Sequence, residues 1–183
     1  MKSFSLALSV LAFAWVVAGG EQDAAPRLFG EAQSPTIDIG VLVEDVEKSV
    51  EFYTEIIGFQ KVPGFSVSGE FCQGAGLTDG CGLDIQVLRL GEGPGATSLK
   101  LMAAPDAKPK AGDRGFVHSR LGYRYLTIRL QNLTPVLARL EKSGVKPEAK
   151  SPVPLPGAGD EGPKLLLVRD PDGNLVELIG PKR

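Results

Sequence analysis

The chain has 183 residues, 43% of them hydrophobic, with 20 basic and 22 acidic side chains. This length and hydrophobic fraction predict one domain with a proper core. The formal net charge of −2, without any basic run, argues against nucleic acid or an anionic membrane as a partner.

The first twenty residues have the pattern of a secretory signal peptide. Lys2 precedes the apolar run "LALSVLAFAWVVA", which ends at Gly19 and Gly20. This run is shorter than the roughly 20 residues that a membrane-spanning helix needs. We therefore predict that residues 1–20 are a signal peptide, that the protein is secreted or periplasmic, and that it leaves the membrane after cleavage. An uncleaved N-terminal anchor is the alternative. Residues 21–35 are polar and small, which predicts a flexible arm.

Export affects how the two cysteines are interpreted. Cys72 and Cys81 flank the Gly-rich stretch "FCQGAGLTDGC". In an oxidising compartment such a pair most simply forms a disulfide that closes the loop. Their spacing is not that of a CxxC motif and no histidine lies nearby, which disfavours a redox or metal pair.

The first half of the chain reads as one strand, one helix and three strands. "TIDIGVLV" (36–43) is rich in β-branched residues and predicts a strand. Asp45 is a candidate N-cap for the helix "VEKSVEFYTEII", which Gly58 ends. "FQKVPGFSV", "GLDIQVLRL" and "SLKLMAA" are the three further strands. A stretch with proline and lysine, residues 105–123, then separates this half from the next.

The same order recurs in the second half. "YLTIRL" (125–130) predicts a strand, and "PVLARLEKSG" predicts a helix after it. A possible strand follows near residues 145–150. "KLLLVR" and "LVELIG" predict two more strands, joined by an Asp-Pro-Asp-Gly-Asn turn. Asp38 aligns with Tyr125 at an offset of 87 (125 − 38). Because one half alone would expose a wide apolar sheet face, the two halves must share an interior.

These motifs carry a family resemblance. "IGVLVEDVEKSVEFYTEIIGF", "SLKLM" and "VRDPDGNLVELIG" together resemble the vicinal oxygen chelate superfamily of glyoxalase, bleomycin-resistance and extradiol-dioxygenase proteins. The resemblance covers residues 36–180 and implies a single α+β domain. Two βαβββ modules, residues 36–104 and 123–180, would form a half-open, U-shaped mixed sheet with a central cleft. In this family the cleft usually holds a divalent metal and a small substrate with neighbouring oxygens.

The family's usual metal ligands match four positions of this chain. Relatives commonly place His, Glu, His and Glu where this chain has Asp38, Lys100, Tyr125 and Glu177. Asp38 and Glu177 remain possible ligands for a divalent metal, but an ammonium group at Lys100 would repel such an ion. We therefore expect Lys100 to replace the metal, in an Asp38–Lys100–Glu177 network beside the Tyr125 hydroxyl, with no cofactor.

Two functions follow from the resemblance. One is a lyase or isomerase, with Glu177 as the base and Lys100 or Tyr125 stabilising an enolate. The other is a non-catalytic protein of the bleomycin-resistance type that binds a small molecule. In either case Asp38, with His118 and Arg124 from the loop "GFVHSRLGYRY", would contact the ligand. A homodimer is possible, with the modules paired within one chain or swapped between two.

Overall fold

The computed structural model describes residues 36–183, so the predicted signal peptide (1–20) and arm (21–35) lie outside the described residues.

The first module runs through four strands with a helix after the first. Its helix begins after Asp45, whose carboxylate accepts the Lys48 backbone N–H at 3.0 Å. The elements are β1 (Asp38–Leu42), α1 (Val46–Glu51) with a π-helical turn (Phe52–Ile57), β2 (Gln60–Val67), α2 (Gly69–Gly74), β3 (Leu83–Leu90) and β4 (Thr97–Ala103).

The first helix differs from the predicted one in its second half. The regular α-helix ends at Glu51, and residues Phe52–Ile57 form a π-helical turn that ends at Gly58 in a left-handed conformation. The wider turn lets two adjacent pairs, Phe52–Tyr53 and Ile56–Ile57, all face the core. The predicted helix is therefore present, with a changed geometry where it packs most tightly.

The second module repeats this order after a linker that contains a short 3₁₀ turn (Val117–Ser119). The strand predicted near residues 145–150 is displaced to a short strand at residues 153 and 154, in a stretch where Pro147 and Pro152 remove backbone donors. Within residues 36–183, no helix is long and apolar enough to span a bilayer. The elements are β5 (Tyr125–Arg129), α3 (Thr134–Ser143), β6 (Val153–Pro154), β7 (Lys164–Arg169) and β8 (Leu175–Gly180).

The strands form two four-stranded sheets of identical topology. Sheet A has the order β1-β4-β3-β2 and sheet B the order β5-β8-β7-β6. The pairs β1–β4 and β5–β8 are parallel, and the other pairs are antiparallel. These mixed, unclosed sheets confirm the predicted α+β class and the two βαβββ modules.

One buried cluster joins the two modules. It contains the apolar side chains of the π-helical turn and of α3, together with every second residue of the central strands of both sheets. Arg139 of α3 also donates to the Ile56 carbonyl at 2.7 Å. Each sheet therefore has one face on this shared core, as the apolar patterning predicts, and one face outside it.

Two buried carboxylates of the second module bind the first module directly. Asp170 accepts the Tyr53 hydroxyl at 3.0 Å. Asp172 accepts the Glu44 backbone N–H at 3.0 Å and the Ser49 hydroxyl at 3.4 Å. Asp170 and Asp172 are only 4% and 8% exposed. We call this set the carboxylate clasp, because it fastens the turn before β8 to the start of α1.

Asp170 also organises its own turn. Its carboxylate accepts the backbone N–H of Asn174 at 2.7 Å and the side-chain amide of Asn174 at 2.9 Å. Burial raises the pKa of the Asp170 carboxyl, and burial with the neighbouring Asp170 charge raises the pKa of the Tyr53 hydroxyl far above its usual value. The tyrosine therefore stays protonated and acts as a fixed donor to the carboxylate.

The predicted disulfide is not formed. Cys72 and Cys81 are both free thiols in the structure. Cys72 lies on α2 and its side chain is completely buried, whereas Cys81 is half-buried and its thiol contacts the Gly82 carbonyl at 3.3 Å. The helical turn at α2, which the spacing of the cysteines did not reveal, buries the Cys72 side chain completely.

Tyr53→Phe tests the clasp. The change keeps both edge-to-face ring contacts, with Phe52 and Phe59, and removes one donor from a buried carboxylate. We expect a loss of about 1–3 kcal/mol in the free energy of unfolding, measured by urea titration. Tyr123→Phe is the matched control, because the Tyr123 side chain is fully exposed, and it should change stability by less than about 0.5 kcal/mol. Equal stability of the two variants would contradict the clasp.

Candidate functional site

The outward face of sheet A carries a row of charges. Residues paired across neighbouring strands share a face, and Asp38 pairs with Ser98, Gly40 with Lys100, and Ser98 with Arg89. Their side chains therefore lie on the side of the sheet that the core leaves uncovered. We call this surface open face A; it includes Asp38, Leu42, Phe65, Ile85, Arg89, Lys100 and Met102.

Asp38 and Lys100 form an ion pair on open face A. The Lys100 ammonium lies 2.8 Å from Asp38 Oδ2, and the two side chains are 33% and 46% exposed respectively. The hydrogen bond from Lys100 holds the pKa of the Asp38 carboxyl below its usual range, against the effect of burial, and Ser98 and Arg89 contribute in the same direction. The structure thus brings together two of the four positions that the resemblance selects.

Arg89 adds a second cation to this group. Within residues 36–183 its guanidinium makes no ion pair or hydrogen bond, although its charge acts on Asp38. The two positive charges of Lys100 and Arg89 exceed the single negative charge of Asp38, so this part of the face carries one net positive charge. Sequence reasoning missed Arg89 and Ser98. Alternation along β3 and β4 places them on this face once the pairing of the strands is known.

The other two predicted positions lie on the outward face of sheet B, which we call open face B. Tyr125 pairs with Leu175 and is about half exposed, and Thr127 pairs with Glu177. Glu177 Oε2 accepts the Thr127 hydroxyl at 2.5 Å. The expected ion pair between Glu177 and Lys100 is therefore not formed. The two residues belong to different sheets, and a neighbouring threonine satisfies the carboxylate.

The donor set does not fit the divalent metal that the resemblance implies. Asp38 already faces an ammonium, and Glu177 lies on the other sheet with a hydroxyl as its partner. No cluster of three His, Cys, Asp or Glu side chains suited to a metal occurs in residues 36–183. Two unit charges about 4 Å apart repel by about 4 kcal/mol at an effective dielectric constant of 20, so an ion beside Lys100 would be opposed.

The linker between the modules is fastened across one end of open face B. Arg169 pairs with Leu175 on that face, and its guanidinium donates to the carbonyls of Arg114 at 2.7 Å and Gly115 at 2.9 Å. Glu148 holds the same guanidinium through an ion pair at 3.1 Å. The linker therefore forms a fixed rim to this face.

His118 and Arg124, predicted as ligand contacts, lie on this rim. His118 is exposed and stacks on Phe116, with ring centroids 5.7 Å apart. Arg124 donates to the carbonyls of Val117 at 3.1 Å and Phe116 at 3.0 Å. Arg124 thus braces the linker backbone, while His118 presents an open imidazole. The described contacts of both residues are with the linker, and neither has a described contact with Asp38 or Lys100.

A groove of about 960 Å³ lies between the start of α1 and the middle of β2 and β3, and Phe65 and Ile85 of open face A are among its lining residues. Its lining includes Glu44, Asp45, Glu47 and Asp84, which sequence reasoning did not select. None of the four family positions lines it. Within residues 36–183, these carboxylates do not form a group of three or more side chains that could hold a metal ion.

The model of the Glyoxalase/Bleomycin resistance protein/Dioxygenase superfamily matches residues 37–178. No curated protein matches the sequence.

Several solved structures share the fold at low identity. A glyoxalase family protein from Bacillus cereus has a TM-score of 0.64 and 20% identity, covering 80% of this chain and 93% of its own. A glyoxalase I mutant from Zea mays has a TM-score of 0.58 and 18% identity, over 80% of this chain and 44% of its own. A glyoxylase/bleomycin resistance protein/dioxygenase domain from Frankia sp. has a TM-score of 0.51 and 21% identity, over 80% and 90%. At this identity the likeness shows the fold alone.

Lys100→Met tests the electrostatics of open face A. Because the hydrogen bond from Lys100 is the largest cause of the lowered Asp38 pKa, the variant should move that pKa up toward its usual range. Carboxyl-detected NMR titration of Asp38 measures the change. Lys142→Met, on α3, is the matched control and should leave the titration unchanged. An Asp38 pKa that is the same in Lys100→Met and in the unmodified protein would refute the pairing in solution.

Proposed function

We propose that this chain, which belongs to the Glyoxalase/Bleomycin resistance protein/Dioxygenase superfamily, binds a small anionic, oxygen-rich molecule on open face A without a metal. In this proposal the Lys100 ammonium supplies the positive charge that a divalent ion supplies in relatives. The observation that carries the proposal is the 2.8 Å Asp38–Lys100 pair at two of the family's ligand positions.

Charge balance supports an anionic ligand. The Asp38 carboxylate neutralises one of the two cations of this group, and Arg89 remains as a donor without a described partner. A guanidinium presents parallel N–H groups that match the two oxygens of a carboxylate. A ligand with neighbouring oxygens can therefore accept from Arg89 and Lys100 together, while Asp38 holds the lysine in place.

Binding without turnover is favoured over lyase or isomerase chemistry. A proton-abstracting reaction needs a base within reach of the atom that a cation activates. Glu177, the candidate base, lies on open face B and is bonded to Thr127, and Tyr125 lies on the same sheet as Glu177. Lys100 and Glu177 therefore each have another partner, Asp38 and Thr127, and no described contact with each other, which supports the bleomycin-resistance type of role.

Export and homodimer formation are also proposed. Residues 1–20 support export to a secreted or periplasmic location. The linker displays large apolar side chains to solvent, including Leu121 at 98% exposure and Tyr123 fully exposed, a surface that a second copy would shield. No nucleic-acid partner is proposed, because the chain carries a net negative charge.

Metal analysis of the purified, untagged protein tests the central proposal. After growth with added manganese, iron, nickel and zinc, we expect far less than one ion per chain by plasma mass spectrometry. The Lys100→Glu variant, which restores the family's acidic residue beside Asp38, should bind manganese more tightly than the unmodified protein. One tightly held ion per unmodified chain would overturn the proposal.

Turnover assays separate the binder from the enzyme. Hemithioacetal, epimerisable acyl and catechol substrates should remain unconverted with and without added divalent ions, while small dicarboxylates raise the melting temperature of the protein. Lys100→Met should abolish that rise and Lys142→Met should keep it. Conversion of any substrate that is lost in Glu177→Gln would establish the enzyme instead.

A further inference from the structure

We infer that the ligand of open face A is an amphiphilic carboxylate, with its head on Lys100 and Arg89 and an apolar chain along a row of side chains that begins at Leu42. This inference rests on the anion site of the proposed function and gives its ligand one carboxylate as the oxygen-bearing end and an apolar chain as the other. The evidence is the order in which polar and apolar residues occupy successive rows of the sheet.

The strand register defines these rows. One row is polar and runs from Asp38 through Ser98 to Arg89. The next contains Lys100, opposite Gly40. The third is entirely apolar and comprises Leu42, Met102, Ile85 and Phe65, which pair in that order across the four strands. Charge therefore gives way to apolar surface within two rows.

The apolar row is exposed although it consists of large side chains. Leu42 and Phe65 are 42% and 48% exposed, and Met102 and Ile85 are half-buried. None of the four belongs to the shared core. The row is roughly 14 Å long, since three strand spacings of about 4.8 Å separate β1 from β2. This length suits an extended chain and exceeds what a compact polar substrate would use.

Gly40 and Met102 connect the apolar row to the lysine. A Cβ atom at Gly40 would lie 3.2 Å from the Met102 terminal methyl group, so the methionine side chain lies against the glycine next to Lys100. Methionine adapts its shape to apolar ligands. The surface between the ammonium and the apolar row is therefore continuous and free of a second charged group.

The net charge selects the head group. Two cations and one carboxylate leave a surplus positive charge, which favours a carboxylate over an ammonium or an uncharged alcohol. The absence of apolar side chains from the Asp38 row indicates that the head, and not the chain, occupies that end. The two ends of the face thus require two chemically different ends of one ligand.

Calorimetric titration with straight-chain carboxylates tests this inference. Decanoate, kept below its micelle concentration, should bind at least tenfold more tightly than hexanoate, because each further buried methylene contributes. It should also bind at least tenfold more tightly than 1-decanol, which lacks the charge. Backbone amide NMR shifts should change at Leu42 and Met102 and stay constant at Thr127 on the other sheet.

Two pairs of variants assign the two ends. Arg89→Gln should weaken decanoate binding at least fivefold and leave 1-decanol unaffected, whereas the exposed linker variant Arg120→Gln should change neither. Leu42→Gln should reduce the difference between decanoate and hexanoate, whereas Leu121→Gln should preserve it. Decanoate binding equal to that of 1-decanol, or shifts centred on sheet B, would overturn the inference.

The outcome separates this inference from the proposed function. If dicarboxylates raise the melting temperature through Lys100 but chain length has no effect, the anion site stands and the amphiphile is wrong. If decanoate binds through the apolar row in Lys100→Met as tightly as in the unmodified protein, the role of Lys100 is wrong as well.

Discussion

The carboxylate clasp is the interaction on which the rest of the structure depends. Asp170 and Asp172 are buried, and each accepts a hydroxyl from the first module, that of Tyr53 and of Ser49 respectively. A buried carboxylate without donors is costly, so the turn before β8 and the start of α1 must stay in contact. That contact fixes β8, and with it Glu177, relative to the first module. It also keeps the apolar faces of both sheets on one core and leaves the opposite faces open.

The charged groups on the two open faces do not form the single Asp38–Lys100–Glu177 network that the family positions suggest. Lys100 and Asp38 neutralise each other on sheet A, and Glu177 is satisfied by Thr127 on sheet B. Relatives with this fold often place metal ligands at these positions. This chain instead has the Lys100 ammonium at one of them and a Thr127 hydroxyl bonded to Glu177 at another. The function we propose for this surface is recognition of an anion, with Arg89 supplying surplus charge and the apolar row from Leu42 to Phe65 setting the type of anion.

The repeat made most of the architecture predictable, because strand alternation and the offset between Asp38 and Tyr125 depend on local sequence alone. The Asp38–Lys100 contact was also predictable, from two matched family positions. The clasp was not: Asp170 looks like a turn residue, and its bond to Tyr53 spans 117 positions, which no local pattern reports. A hint existed, since "FYTEIIGF" and "DPDGN" are the two most family-specific stretches and they meet. The disulfide predicted from the cysteine spacing was wrong for a related reason. The spacing gives the size of the loop that a bridge would close, but it does not reveal that the Cys72 side chain is buried.

A crystal structure of the protein grown with excess manganese tests the central claim most directly. The metal is located by its anomalous scattering. The account predicts no anomalous peak within bonding distance of Asp38 or Glu177, with the Lys100 ammonium still about 2.8 Å from the Asp38 carboxylate. A manganese ion bound by Asp38 and Glu177, with Lys100 displaced, would contradict it.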